Sequence, residues 1–300
     1  MPAAAYRLTL LGLASLAAPR PAAAQIQATE IVYVRQTQVN NKPYFEVRRR
    51  AFNGTADSKL VGGCLAQLPA SYCTYADPVV SPDGSRLAFV FEPVSEEFCK
   101  AIWISTISGG SARQISTGCT DARPAWSPDG SRIAYERENA IYEVELCRNT
   151  LPESSPRRVA AGASPSYSRD GRWIAFARSG DIFKIRTNGS SETNLTQSTL
   201  GEWHPRWTKR GSSSDMIVFL AGSGAHSQVF TMDAAGQNRR QVTSTATAKS
   251  SPDVALLPSA VVWQEGTNVL FQAGANAPRT VTAGKQPYFG GGSAKVTMCP

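Results

Sequence analysis

Pro124-Ala-Trp-Ser-Pro-Asp-Gly-Ser-Arg-Ile-Ala-Tyr135 is written into this chain several times over. Pro78-Val-Val-Ser-Pro-Asp-Gly84 leads to Leu87-Ala88-Phe89, and Pro165-Ser-Tyr-Ser-Arg-Asp-Gly171 leads to Ile174-Ala175-Phe176. A looser copy runs from Pro205 to Gly211 and on to Ile217-Val218-Phe219, and Pro252 and Pro287 open two worn ones. The six prolines are 46, 41, 40, 47 and 35 positions apart. A period near 40 residues demands a repeat architecture, because one such unit cannot bury its own apolar surface.

Within the unit, Ala125-Trp126 is a short apolar strand and Pro128-Asp129-Gly130 the turn that ends it. Proline presets φ, Asp bonds to nearby backbone, and Gly accepts positive φ. Ile133-Ala134-Tyr135 is a second strand, Ile141-Tyr142-Glu143-Val144 a third and Arg157-Arg158-Val159-Ala160 a fourth. Third strands recur at Ile102–Ile104, Ile182–Ile185 and Val229–Met232, fourth strands at Gln114–Ser116, Asn194–Thr196, Gln241–Thr243 and Thr280–Thr282. Four antiparallel strands in about 40 residues make a β-propeller blade.

Five blades start near residues 76, 122, 163, 203 and 250. Ile31-Val32-Tyr33, Tyr44–Val47 and Lys59–Val61 read as second, third and fourth strands with no first, while Pro287-Tyr288-Phe289 reads as a first strand with no successors. Joined, 285–298 and 30–62 form a sixth blade, which removes an exposed sheet edge. The expected fold is therefore an all-β, six-bladed propeller over residues 25–300, closed by its N- and C-terminal strands. Lys295 to Met298 have no place in this scheme.

Residues 1–24 read as a signal peptide: Arg7, an apolar run from Leu8 to Ala18, then Ala22-Ala23-Ala24. The run is too short to span a bilayer, so an exported, periplasmic or secreted, protein is expected, without membrane insertion. A net charge of +8 then points to a generally basic surface or to anionic envelope polymers, not to nucleic acid. Six cysteines (Cys64, Cys73, Cys99, Cys119, Cys147, Cys299) are an even number in an oxidising compartment and suit disulfides. Cys64 and Cys73 flank one loop and form the best local pair; the remaining connectivity stays open. Arg48-Arg49-Arg50 reads as a solvated edge guarded by charge, or else as a contact for an anionic polymer.

First strands are innermost in a propeller, so residues just before each repeat proline should ring one mouth of the channel. That station holds Asp77, Arg123, Ser164, His204, Ser251 and Gln286; two positions earlier stand Tyr75, Asp121, Gly162, Glu202, Lys249 and Gly284. These positions vary where structural ones repeat, as a binding rim on a rigid scaffold does. The candidate ligand- or partner-binding residues are Asp77, Asp121, Arg123, Glu202, Trp203, His204, Lys249 and Gln286, with Trp203 an aromatic anchor and Arg123 and Lys249 a grip on a carboxylate.

The repeated Trp/Tyr-Ser-Pro/Arg-Asp-Gly-x-x-Ile-Ala-Phe/Tyr string, at 126–135 and 167–176, resembles the repeat of TolB-type β-propellers. The resemblance covers nearly the whole mature chain. It implies a six-bladed propeller and, by analogy with the periplasmic Tol–Pal component, an envelope protein that binds another protein. That component carries an α/β domain ahead of its propeller; with Gln25–Thr29 alone between the cleavage site and the first strand, that domain is expected to be missing here. Similar repeats accompany prolyl-oligopeptidase-like peptidases and oligogalacturonate lyases. No G-x-S-x-G elbow is present, and His204 and His226 are too few for a histidine-held metal. Asp83, Asp129 and Asp170 hold turn positions and are expected to be structural. The expectation is a non-catalytic binding or scaffold protein with no metal or cofactor, engaging a protein or peptide at the channel mouth. The alternatives are a carbohydrate lyase or hydrolase using the channel, and a direct binder of cell-wall polysaccharide.

Overall fold

Each Ser-x-Asp-Gly turn is held by its own side chains. Ser127 Oγ donates to Asp129 Oδ1 (2.5 Å) and accepts from the Arg132 N–H (2.9 Å), while the Ser131 N–H donates to Asp129 Oδ1 (3.1 Å). Gly130, at φ 70°, closes the turn onto the Ser127 carbonyl. The same bonds recur around Asp83 and Asp170. Burial opposes ionisation of these three carboxyls, but the hydroxyl and N–H donors outweigh it and hold them below the ordinary Asp range. These aspartates are turn-builders.

The computed structural model describes residues 30–39, 42–51, 55–62, 73–93, 99–146, 156–208, 215–223, 226–254 and 260–289. The chain begins with β1 (Glu30–Val39), β2 (Lys42–Ala51) and β3 (Asp57–Gly62). Blade one is β4 (Cys73–Val80), β5 (Arg86–Pro93), β6 (Ala101–Thr106) and β7 (Arg113–Gln114). Blade two is β8 (Ala122–Trp126), β9 (Arg132–Arg137), β10 (Ala140–Glu145) and β11 (Arg157–Ala161). Blade three is β12 (Ala163–Tyr167), β13 (Trp173–Arg178), β14 (Asp181–Arg186) and β15 (Thr193–Asn194). Blade four is β16 (Gly201–Trp207), β17 (Met216–Gly222), β18 (Gln228–Asp233) and β19 (Arg240–Gln241). Blade five is β20 (Lys249–Val254), β21 (Ala260–Glu265), β22 (Asn268–Ala273) and β23 (Arg279–Ala283), and β24 (Lys285–Phe289) ends the described chain.

The sixth sheet has the order β24-β1-β2-β3. Ile31 pairs with Phe289, Val32 with Tyr288 and Val34 with Lys285, so the two ends of the chain share one blade. A propeller of six four-stranded antiparallel blades results.

The Ile-Ala-aromatic triplet explains why the blades stack. Side chains alternate across a strand, so Ile133 and Tyr135 pack against blade one while Ala134 faces blade three. The bulky face of each blade meets a flatter face on the blade before it. Six apolar clusters are formed this way, one at every seam including the closing one, where Val32 and Val47 meet Leu87 and Phe89. Tyr33, Phe89, Tyr135, Phe176, Phe219 and Trp263, one per blade, lead the fully buried side chains. Burying each stabilises the ring by roughly 2–3 kcal/mol.

In blades one, three and four the fourth strands are shorter than the sequence suggested, and their expected residues do a different task. In place of a longer ladder, the Ile115 N–H donates to the Ile102 carbonyl and Ser116 Oγ accepts from the Ile102 N–H (2.8 Å). Leu195 and Thr196 do this for Ile182, and Val242 and Thr243 for Val229. A hydroxyl thus replaces a strand carbonyl at the outer edge of these three blades.

Cys99 and Cys119 form a disulfide with Cα atoms 4.2 Å apart, joining the segments that precede β6 and β8. Cys64 of the expected Cys64–Cys73 pair, the signal peptide and Lys295–Met298 lie outside the described residues. Arg48 is not a solvated edge charge: it bonds Asp57 (2.7 Å) and Glu46 (2.6 Å), and Asp57 also takes the Tyr33 hydroxyl (2.6 Å) and Arg35 (2.7 Å). Among the described residues no helix is long and apolar enough to cross a membrane.

Candidate binding site at the channel mouth

Every residue before a repeat proline is left-handed: φ is 48° at Asp77, 52° at Arg123, 57° at Ser164, 53° at His204, 44° at Ser251 and 49° at Gln286. For an L-residue this costs about 1–2 kcal/mol. A β-bulge is the cause, since the register with the second strand slips between Ala76 and Val79, Ala122 and Ala125, Ala163 and Ser166, Trp203 and Arg206, and Ser250 and Asp253. The bulge frees one N–H per blade from the ladder.

Side chains from the neighbouring blade collect most of these N–H groups. The Asp77 N–H donates to Gln286 Oε1 (2.9 Å), and Gln286 Nε2 returns a bond to Asp77 Oδ1 (2.9 Å). Asp77 Oδ2 accepts the Arg123 N–H (3.1 Å). Arg123 has no acceptor to offer blade three, so it grips Glu136 Oε2 (2.6 Å), and that carboxylate accepts the Ser164 N–H (3.0 Å). Gln264 Oε1 does likewise for the Gln286 N–H (3.0 Å). The rim residues are fixed by one another.

Asp77, Arg123, His204, Ser251 and Gln286, with Arg206 and Tyr288, line an open cavity. Below it the residues just after the repeat prolines (Val79, Ala125, Ser166, Arg206, Asp253, Tyr288) line a second that reaches the turns at Pro82 and Pro128. His204 is pushed down to about 3 by burial and by the charges of Arg123 and Arg206, and is neutral near pH 7. Burial and the nearby Asp253 charge raise Tyr288 well above the ordinary tyrosine value.

Of the eight residues read from the sequence, four meet here: Asp77, Arg123, His204 and Gln286. The other four lie outside this lining. Asp121 is buried, taking both Arg137 Nε (2.6 Å) and Nη2 (2.9 Å), with that guanidinium over the rings of Tyr135 and Tyr142. Glu202 is buried in an ion pair with Arg239, which lies over Phe219 and Phe230. Lys249 is buried against Glu265 (3.1 Å) and Thr245 (2.6 Å). Trp203 packs into the seams on both sides of blade four. The left-handed residue explains this, because it breaks the two-residue alternation that would have put positions 121 and 123 on one face.

Glu136 and Gln264 were missed, and so were Arg206, Asp253 and Tyr288. A signal for the first two was present. The residue after the large aromatic of each second strand is Val34, Val90, Glu136, Ala177, Leu220 or Gln264, and only these two break an apolar station. Among the described residues no three His, Cys, Asp or Glu side chains converge as a metal-ligand set would.

A family model described as the TolB beta propeller domain matches residues 24–277. An uncharacterized protein of Agrobacterium fabrum is 32% identical over 154 residues, 48% of this chain and 50% of that protein. The chain thus spans about half the length of this curated relative. The crystal structure of TolB from Acinetobacter baumannii superposes with a TM-score of 0.67 at 19% identity, over 88% of this chain and 67% of that one. An oligogalacturonate lyase in complex with manganese does so with 0.52 at 14% identity, over 86% and 74%. At these identities the structural likeness speaks for the fold alone.

Proposed function

The chain belongs to the TolB β-propeller domain family, and from that premise we propose that it is an exported, non-catalytic binding protein of the bacterial envelope, holding a protein or peptide segment at the channel mouth. One observation carries the reading. The rim from Gln264 through Gln286, Asp77, Arg123 and Glu136 to Ser164 is a chain of side chains locked by mutual hydrogen bonds beside an open cavity. A rim ordered before binding loses little side-chain entropy on binding. Its mixture of amide, carboxylate, guanidinium and neutral imidazole suits the amides and polar side chains of an extended peptide.

Affinity capture tests it. Immobilised protein should retain a specific partner from a periplasmic extract, and the double variant Arg123→Glu, His204→Ala, folded by circular dichroism, should lose it. Retention of the same partners by that variant would place binding elsewhere. Turnover of an oligogalacturonide by the protein would favour the enzyme reading instead.

A further inference from the structure

Four of the six bulge N–H groups have a side-chain acceptor; among the described residues, those of His204 and Ser251 have none. The two sit on neighbouring blades with the same left-handed backbone as the other four. Their acceptors are missing for a reason written in the sequence. An acceptor for the next blade comes from the rim residue itself (Gln286, Asp77) or from the second-strand station (Glu136, Gln264). For His204 the preceding blade offers Ser164 and Ala177, and for Ser251 it offers His204 and Leu220, so no carboxylate or amide is within the pattern. Both residues line the open cavity that Arg206 also lines.

We propose that this sector, His204 N–H, Ser251 N–H and the Arg206 guanidinium, is a subsite for a carboxylate supplied by the bound segment, as its C-terminus or an acidic side chain. All four acceptors that complete the rest of the ring are oxygens, two of them from carboxylates (Asp77 and Glu136). A ligand carboxylate brings the same atoms to the two donors that lack them, and Arg206 supplies the balancing charge. Beside burial, the charges of Arg123 and Arg206 both disfavour protonation of the His204 imidazole, in keeping with a cationic sector. Arg123 is already spent on Glu136 (2.6 Å), which leaves Arg206, whose Nη1 makes one long bond to the Pro165 carbonyl (3.3 Å). Asp253, one station deeper and buried, carries negative charge beside Tyr288 and would stop an anion at the mouth. The inference rests on the peptide-binding reading only for the source of the carboxylate; the subsite can be tested without any partner.

The probe is acetate, titrated into ¹⁵N-labelled full-length mature protein. The His204 and Ser251 amide resonances should shift saturably, with a dissociation constant on the order of millimolar as a ligand of so few atoms allows. Acetamide, of the same shape and no charge, should leave them in place. Ala177→Glu puts an internal acceptor where Glu136 stands one blade earlier and should weaken acetate about tenfold or more; Arg206→Gln should do the same without touching the seam. No shift at either amide, or shifts that persist in both variants, would overturn the proposal. Sulfate displacing acetate at equal or lower concentration would overturn the carboxylate assignment in favour of a general anion site. Comparing a captured partner with its C-terminally amidated form separates a terminal from a side-chain carboxylate. Loss of acetate binding with capture intact sinks the subsite alone, and the converse sinks the partner reading alone.

Discussion

Along one arc of the rim, Gln286, Asp77, Arg123 and Glu136 hold each other in place; further round, His204 and Ser251 have the same backbone angles and no such neighbours. Because the scaffold is common to both arcs, the difference between them lies in single side chains at two stations. Where a rim or second-strand residue carries a carboxylate or a side-chain amide, the freed N–H is satisfied internally and that part of the mouth is structural. Where the station holds Ala177 or Leu220, the N–H is left for something else. A repeat fold can in this way convert part of a ring from framework to binding surface without altering the backbone.

Stability measurements should separate the arcs, and the largest contrast is expected at Asp77. Asp77→Ala removes the acceptor of the Arg123 N–H and the partner of the Gln286 amide, so it should cost about 2–3 kcal/mol in urea unfolding. A loss under about 0.5 kcal/mol would show that the closed arc is not held by this network. A smaller effect is expected from pH. His204 has a folded pKa of about 3, below the unfolded value near 6.5. Between those values the unfolded state binds more protons, so stability is full above about pH 6.5 and falls as the pH drops towards 3. His204→Gln should flatten that dependence by about 1–2 kcal/mol between pH 7.5 and 5, after discounting for its partial exposure. Saturating acetate should shrink the same slope, because an anion beside the imidazole eases its protonation. Equal slopes for wild type and variant would mean that His204 is solvated in the open arc. The smallest change belongs to Ser251→Ala. Its hydroxyl makes no hydrogen bond among the described residues, so stability should move by no more than about 0.5 kcal/mol. A larger loss would show that the open arc is also closed by an internal bond.

Much of the architecture was legible from the chain. The prolines located the first strands, the Ser-x-Asp-Gly turns located the hairpins, and the fragments at Ile31 and Pro287 announced the shared blade. The rim was legible in part, because the residue before each proline does face the mouth at five of its six positions. The step from position 123 back to 121 failed because it assumed strand alternation through a left-handed residue. Glu136 and Gln264 were legible in principle as polar breaks in an apolar station. Their role was not, since each acts on a residue in another blade, 28 positions away for Glu136 and 22 for Gln264.

Turn chemistry, strand period and the bulky-then-small alternation act over a few residues, so the sequence by itself determined the blade and the number of copies. Which N–H is satisfied by which side chain depends on contacts such as that between Asp77 and Gln286, 209 positions apart. Only the closed ring brings such pairs together, and so only the tertiary structure decided which part of the mouth is tied by side chains from the neighbouring blade and which is not.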